Sequence, residues 1–314
     1  MYFSQRVELL AEGGRWRRQL EAIGGNSCCG CCAEWLKRNE NADRPAICLR
    51  EKCESTKLTL IIDSLKQKIP MSAARLAVLG DAGLTSGGAG VLFGCDGLTG
   101  LDVSPLAHVT SIGDGFLHGC VALSALDLTP LVHLTSVGDK FLHRCEGLTA
   151  LDLIPLASVT SVNYAFLRGC VGLTSLDLSP LSRITIIGSS FLQSCVGLTA
   201  LDLGPLAQVT TIGGSFLQYC RGLTTLDLTP LTYLATVGEC FLAGCRGIPT
   251  VDLASLEGHL NVGFRFLGAC ERLTALDLTP LARVTHVESS FLDGCRGITS
   301  LDLAPLAHVT SVGD

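Results

Sequence analysis

The sequence predicts an α/β solenoid of stacked coils. Each coil holds a short strand, a turn and a short helical turn, and a small, mostly helical, Cys-rich region precedes the array. Three observations predict this. The tripeptide Leu-Asp-Leu, or a close variant, begins at residues 101, 126, 151, 176, 201, 226, 251, 276 and 301, so every interval is 25 residues. Within each unit apolar residues alternate over two short stretches, as they do on strands with one buried side. Pro, Gly, Phe and Cys recur in fixed columns. A fixed period of this length marks units that bury their apolar side only by stacking on their neighbours.

The array is placed at 76–314. A degraded unit fills 76–100, with Leu76 at its start and Cys95, Gly97 and Leu98 in register at its end, and a truncated ninth unit fills 301–314. Residues 1–75 form the separate N-terminal region.

The unit starting at Leu151 reads LDLIPLASVTSVNYAFLRGCVGLTS. Leu151 and Leu153 flank Asp152, which is strand alternation with both leucines inward. Pro155 lacks an N–H and ends that strand. Val159 to Val162 is β-branched and reads as a second extended piece. Gly113, Gly138, Gly188, Gly213, Gly238, Gly263 and Gly313 share a column in which Asn163 also stands, and that exchange predicts positive φ. Glu288 breaks the rule, and local strain or a different turn is expected there. Phe141, Leu142 and Cys145 fall at i, i+1 and i+4, the same side of one helical turn. Gly147 follows and suits a helix C-terminus.

Composition bounds the function. The net charge is −6, but residues 1–75 carry 13 basic against 9 acidic side chains and residues 76–314 carry 10 against 20. An array with that excess of carboxylates is no nucleic-acid binder, because phosphate contacts need the opposite sign. No segment reaches the ~20 apolar residues of a membrane-spanning helix. Met1 to Gly14 carries Arg6, Glu8 and Glu12 where a secretory leader has its apolar centre, so a soluble, intracellular chain is the expectation from the residues. No phosphate loop and no non-repeating His-Asp-Ser set is present, and an enzyme is not expected.

The Leu-x-Leu strand, the Val-Thr-Ser-Ile-Gly segment and the Phe-x-x-x-Cys-x-x-Leu ending resemble a leucine-rich repeat of the BspA-like surface-antigen type. The resemblance covers about three quarters of the chain. It departs from that family's usual Ala-Phe-x-x-Cys ending by having Phe-Leu-x-x-Cys. It implies binding of a protein, often in adhesion at a cell surface, and names no ligand.

Four sets of residues are candidates for function. Asp102, Asp127, Asp152, Asp177, Asp202, Asp227, Asp252, Asp277 and Asp302 project from adjacent coils, on what should be the concave face. Carboxylates at ~4.8 Å spacing repel one another. They read as a docking surface for a basic protein partner, centred on Asp127, Asp152, Asp177, Asp202 and Asp227, as a weak Ca²⁺ site, or as acceptors for local backbone. The cysteines at 95, 120, 145, 170, 195, 220, 245, 270 and 295 read as a buried thiol ladder, with inter-coil disulfides or metal ligation as alternatives. Cys240 lies outside that column and is expected near the surface. The Thr column from Thr110 to Thr310 reads as β-propensity and hydroxyl ladders, with ice binding as its functional alternative.

Side chains that vary between repeats are expected to be exposed, including His118, His143, Arg168, Gln193 and Gln218. The seventh unit is aberrant. It has Ser255 for Pro, then Glu257-Gly258-His259-Leu260-Asn261, and is either a binding notch or drift.

In the N-terminal region Leu58, Ile61, Ile62, Leu65 and Ile69 follow helix spacing until Pro70, which suggests a cap over the first coil. A weaker helix is expected from Arg15 to Ile23. Cys29, Cys32, Cys48 and Cys53 give C-x2-C-x15-C-x4-C. The first pair fits a zinc site and the second is longer than usual. A disulfide cluster, S-acylation and no special chemistry stand beside it. The two functions that follow are a surface scaffold that binds protein and an intracellular adaptor with a zinc-binding leader.

Overall fold

The computed structural model describes residues 93–258 and 261–313, with the backbone of five short strands before them: Arg6–Val7, Ala46–Ile47, Ala74–Leu76, Val78–Leu79 and Ser86–Gly87. The helices expected at 15–23 and 58–69 lie outside the described residues. What is described there is strand pairing. Ala46–Ile47, Ala74–Leu76 and Leu101–Asp102 form a parallel sheet in that order. Ala74 sits opposite Leu101, two residues ahead of the expected Leu76, whereas Ser86 pairs with Ser111 at the 25-residue offset.

The array is a stack of coils, with short parallel strands alternating with 3₁₀ turns. The hydrogen-bonded ladder lies in the second extended piece of each unit. Ser161–Val162, Ile186–Ile187, Thr211–Ile212 and Thr236–Val237 make one four-stranded parallel sheet. Asn261–Val262, His286–Val287 and Ser311–Val312 make another. The Leu-Asp-Leu segments were expected to be the main strands. Their leucines alternate inward as expected, but only Leu101–Asp102 belongs to a described strand, and the second leucine is already turning, as at Leu153 (φ −97°, ψ 3°). The chain turns into a 3₁₀ helix at once, as in Ile154–Leu156 and Ser179–Leu181, and does so in the seventh unit with Ser255 in place of proline. Proline's fixed φ and missing N–H suit the first turn of a helix.

The Phe-Leu-Cys segment is not a helical turn. Leu142, Leu167, Leu192 and Leu217 have φ of 52, 53, 50 and 52°. Residues two before and two after them are left-handed as well, as at Lys140 and Arg144 (φ 56 and 58°). Left-handed backbone costs a non-glycine residue roughly 1–2 kcal/mol. The gain is cross-linking of the stack. Lys140 and Arg144 donate their N–H to Tyr164 and Arg168 in the next coil, at 2.6 and 2.7 Å, and Leu142 donates to Phe116 in the coil before, at 3.0 Å. A helix would keep those amides to itself.

Phe116, Phe141, Phe166, Phe191, Phe216 and Phe241 form a buried column of near-parallel rings, with neighbouring centroids 5.5 to 5.8 Å apart. The leucines of every column pack around it in one continuous core.

The glycine column does not serve positive φ. Gly138, Gly188, Gly213 and Gly238 are absent from the left-handed residues. A Cβ on Gly138 would sit 2.5 Å from the Asp114 amide nitrogen of the coil below. Gly147 and its counterparts behave alike; a Cβ on Gly222 would meet the Val196 carbonyl oxygen at 2.3 Å. These columns are small so that coils can touch. At Gly263 the nearest atom would be 3.2 Å away, and no ladder pairing joins Thr236–Val237 to Asn261–Val262 among the described residues. The stack is loosened at its seventh unit.

Candidate functional site: the acidic ladder

All nine aspartates of the ladder are solvent-exposed. Each is held by the same local contact, in which one Oδ accepts the backbone N–H two residues on. The amides of Thr129, Ile154, Ser179, Gly204 and Thr229 donate to Asp127, Asp152, Asp177, Asp202 and Asp227 at 2.8 to 2.9 Å. Asp102, Asp252, Asp277 and Asp302 repeat it. This Asx turn opens the 3₁₀ helix and satisfies its first free amide. The Thr229 hydroxyl adds a bond to Asp227 at 2.7 Å, and the Thr129 hydroxyl donates to Asp127.

Hydroxyl donation first, then the amide, holds the carboxyls of Asp127, Asp177, Asp227 and Asp277 below their ordinary range. These four carboxyls are therefore ionised at neutral pH. The ladder's neighbours on the same extended stretch are small: Ala125, Ala150, Ser175, Ala200 and Thr225 are exposed beside it. The result is an acidic face bordered mostly by small side chains, with Ile154 beside Asp152 as an exposed large one.

The cysteine column is a ladder of free thiols. Cys145, Cys170, Cys195, Cys220 and Cys245 donate Sγ–H to Leu117, Leu142, Leu167, Leu192 and Leu217 of the preceding coil, at 3.1 to 3.2 Å. Each thiol thus satisfies the carbonyl of a left-handed leucine. Burial pushes Cys145, Cys195 and Cys245 up to about 12, which leaves them protonated and unreactive. No group of three or more His, Cys, Asp or Glu among the described residues is arranged to hold a metal ion.

Two exposure expectations are corrected. Cys240 is only 8% exposed. It occupies a left-handed position (φ 55°) that turns it in toward Gln218 and Ser215. The column of His143, Gln193 and Gln218 is buried too, although it varies between repeats. These side chains stack coil on coil: the His118 and His143 rings lie 4.4 Å apart at 17°, and Gln193 Nε2 donates to Gln218 Oε1. Variation there reflects neighbour matching within a stack. His108, His133 and His308, which share a column of the repeat, are exposed. Cys29, Cys32, Cys48 and Cys53 lie outside the described residues.

Comparison with known proteins places this geometry in a family. A profile of the BspA type leucine rich repeat region, in six copies, matches residues 88–224 and 185–314. The chain belongs to this family. Proteins built of such repeats are generally non-enzymatic interaction scaffolds.

Solved structures with a similar fold include a leucine-rich repeat protein from Bacteroides ovatus, with 17% identity over 77% of this chain and 74% of that one and a TM-score of 0.43. The leucine-rich repeat domain of the type III effector XopL has 16% identity, 95% and 93% coverage and a TM-score of 0.47. A leucine rich cell surface protein from Faecalibacterium prausnitzii has 13% identity, 76% and 81% coverage and a TM-score of 0.32. No curated protein matches the chain by sequence. No helix among the described residues is long and apolar enough to cross a membrane.

Proposed function

We propose that the chain is a non-enzymatic scaffold at a cell surface, and that the ladder from Asp127 to Asp227 docks a basic face of a protein partner. The observation that carries this reading is the fixed, exposed acidic face. Each carboxylate is already oriented by its backbone bond. Little side-chain entropy is then lost on docking. Summed like charges at coil spacing also attract a basic surface before contact, which raises the association rate more than the affinity. The cell-surface placement is what membership of the BspA-type family supports.

The test replaces Asp152, Asp177 and Asp202 by Asn together. Asn keeps an Oδ acceptor, so the 3₁₀ turns and thermal stability stay close to the parent. Affinity capture of the partner is expected to drop at least tenfold, and the parent's capture is expected to weaken steeply with salt. If parent and variant hold the same partners equally, the ladder is not the recognition surface.

The zinc reading of the N-terminal region rests on the Cys29-x-x-Cys32 spacing followed by Cys48 and Cys53. Elemental analysis of the purified chain is expected to find zinc that is lost in the doubly substituted Cys29→Ser, Cys32→Ser chain. Absence of stoichiometric zinc from the parent ends that reading and the adaptor with it.

A further inference from the structure

The seventh coil departs from its neighbours in three ways that meet at one place. Ser255 replaces the proline of the 3₁₀ turn, and its Oγ is buried with no hydrogen-bond partner. Glu257, which closes that turn, has ψ 129°, whereas the equivalent residues Ala207 and Ala282 have −19 and −16°. The chain therefore leaves the turn in a new direction. Gly258 follows at φ +90°, and a Cβ there would meet nothing within 4 Å.

The consequence is a cleft of about 530 Å³, lined by Thr229, Thr232, Ser255, Glu257, Gly258 and Arg283, with Leu234 and Ala254. It lies where a side chain is missing. Tyr233, Gly258 and Arg283 hold the same position in successive coils, and the glycine leaves a gap between two long neighbours. Tyr233 is 63% exposed beside the gap. Neither Glu257 nor Arg283 makes an ion pair among the described residues, so the cleft holds one free charge of each sign. The two stand one coil apart, roughly 5 Å along the stack.

The geometry points to a binding site for a short zwitterionic peptide. Its carboxylate meets the Arg283 guanidinium in a charge-assisted bond, and its ammonium meets the Glu257 carboxylate. The Thr232 hydroxyl lines the cleft beside its amide groups. Neutral overall, such a ligand avoids the repulsion that an array with twice as many acidic as basic side chains imposes on a simple anion. A dipeptide of ~7 Å end to end spans one coil step with both termini engaged. The site borders the acidic ladder, since Thr229 bonds Asp227, but it does not depend on the ladder's role.

The test is calorimetric titration of the full chain with dialanine, N-acetyl-dialanine and dialanine amide. Dialanine is expected to bind saturably at millimolar concentration. Arg283→Gln and Glu257→Gln change exposed side chains, and the melting temperature should not move. Each should weaken dialanine at least tenfold. The Arg283 change should add nothing once the carboxylate is amidated, and the Glu257 change should add nothing once the amine is acetylated. No saturable binding of dialanine overturns the proposal. So does equal binding of the capped peptides, or binding of a neutral disaccharide such as maltose in place of dialanine. Each outcome is independent of capture through the ladder, which the Asn substitutions read separately.

Discussion

Replacing Phe191 by Ala is expected to destabilise the array by about 3–5 kcal/mol, the range seen when a large aromatic is cut from a packed core. Phe191 is fully buried and stacks on Phe166 at 5.8 Å and on Phe216 at 5.7 Å. Its loss removes two ring contacts as well as its own buried area, and each aromatic pair is worth about 0.5–1.5 kcal/mol beyond area. The cavity also resists collapse. The coils on both sides are already in contact through glycine columns that leave no room to slide, as at Gly188 and Gly213.

A solenoid is coupled through nearest neighbours, so weakening one interface in its middle also weakens its cooperativity. Urea unfolding of the variant is therefore expected to show a lower midpoint and a broader transition. Phe291 makes the control. It is only partly buried and its single described ring partner, Phe266, lies 6.1 Å away. Phe291→Ala should cost clearly less. Equal costs, or an unchanged midpoint for Phe191→Ala, would mean that the phenylalanine column is not the spine of the stack.

Much of this architecture was legible because it rests on period and polarity. The 25-residue interval, the inward leucines and the buried thiols all follow from which residues recur and which are apolar. The local backbone was less so, for a physical reason. Leu142 and Leu217 are left-handed, and nothing in a leucine announces it. That conformation is imposed by the need to send amides to the coils above and below, which is a property of the stack and not of the segment. The glycine columns misled for the same reason. Gly alternating with Asn suggested positive φ, whereas the constraint is contact with the coil below. Asn163 meets it differently, with Nδ2 donating to the Val137 carbonyl at 3.1 Å.

The acidic ladder was legible as residues but not as geometry. Its backbone bond depends on the 3₁₀ turn, which the proline signalled only as a strand end. The cleft was visible only as a departure, where Ser255 and Gly258 break two columns in one unit.

His143 should make the array sensitive to mild acid in a window that Asp127, Asp177, Asp227 and Asp277 do not share. Its ring is stacked between coils beside His118, and the Nδ1 atoms of both are buried without a hydrogen-bond partner. Burial first, and then the positive charges of its surroundings (His118, Arg168, Arg144 and Lys140), lower its pKa from 6.5 to about 4. His118 is shifted in the same direction, again by burial first.

Between those values the unfolded chain takes up a proton that the folded chain refuses. The unfolded state then binds more protons, and stability falls as pH drops from about 6.5 toward 4. For His143 the full loss is roughly 3 kcal/mol, from the shift and the ~1.4 kcal/mol that each unit represents. Below about 4 this loss is complete and the curve flattens. The aspartates act lower down. Asp127, Asp177, Asp227 and Asp277 are held below 3.8, so what they contribute is intact above that value and is lost only as pH falls through their folded range.

His143→Phe keeps a flat ring in the stack and removes the titration. Urea midpoints measured from neutral pH down to about 4.5 are expected to fall for the parent and to fall much less for the variant. A parent that is equally stable across that window would show that water reaches the imidazole and that the stacked pair is not sealed by the coils around it.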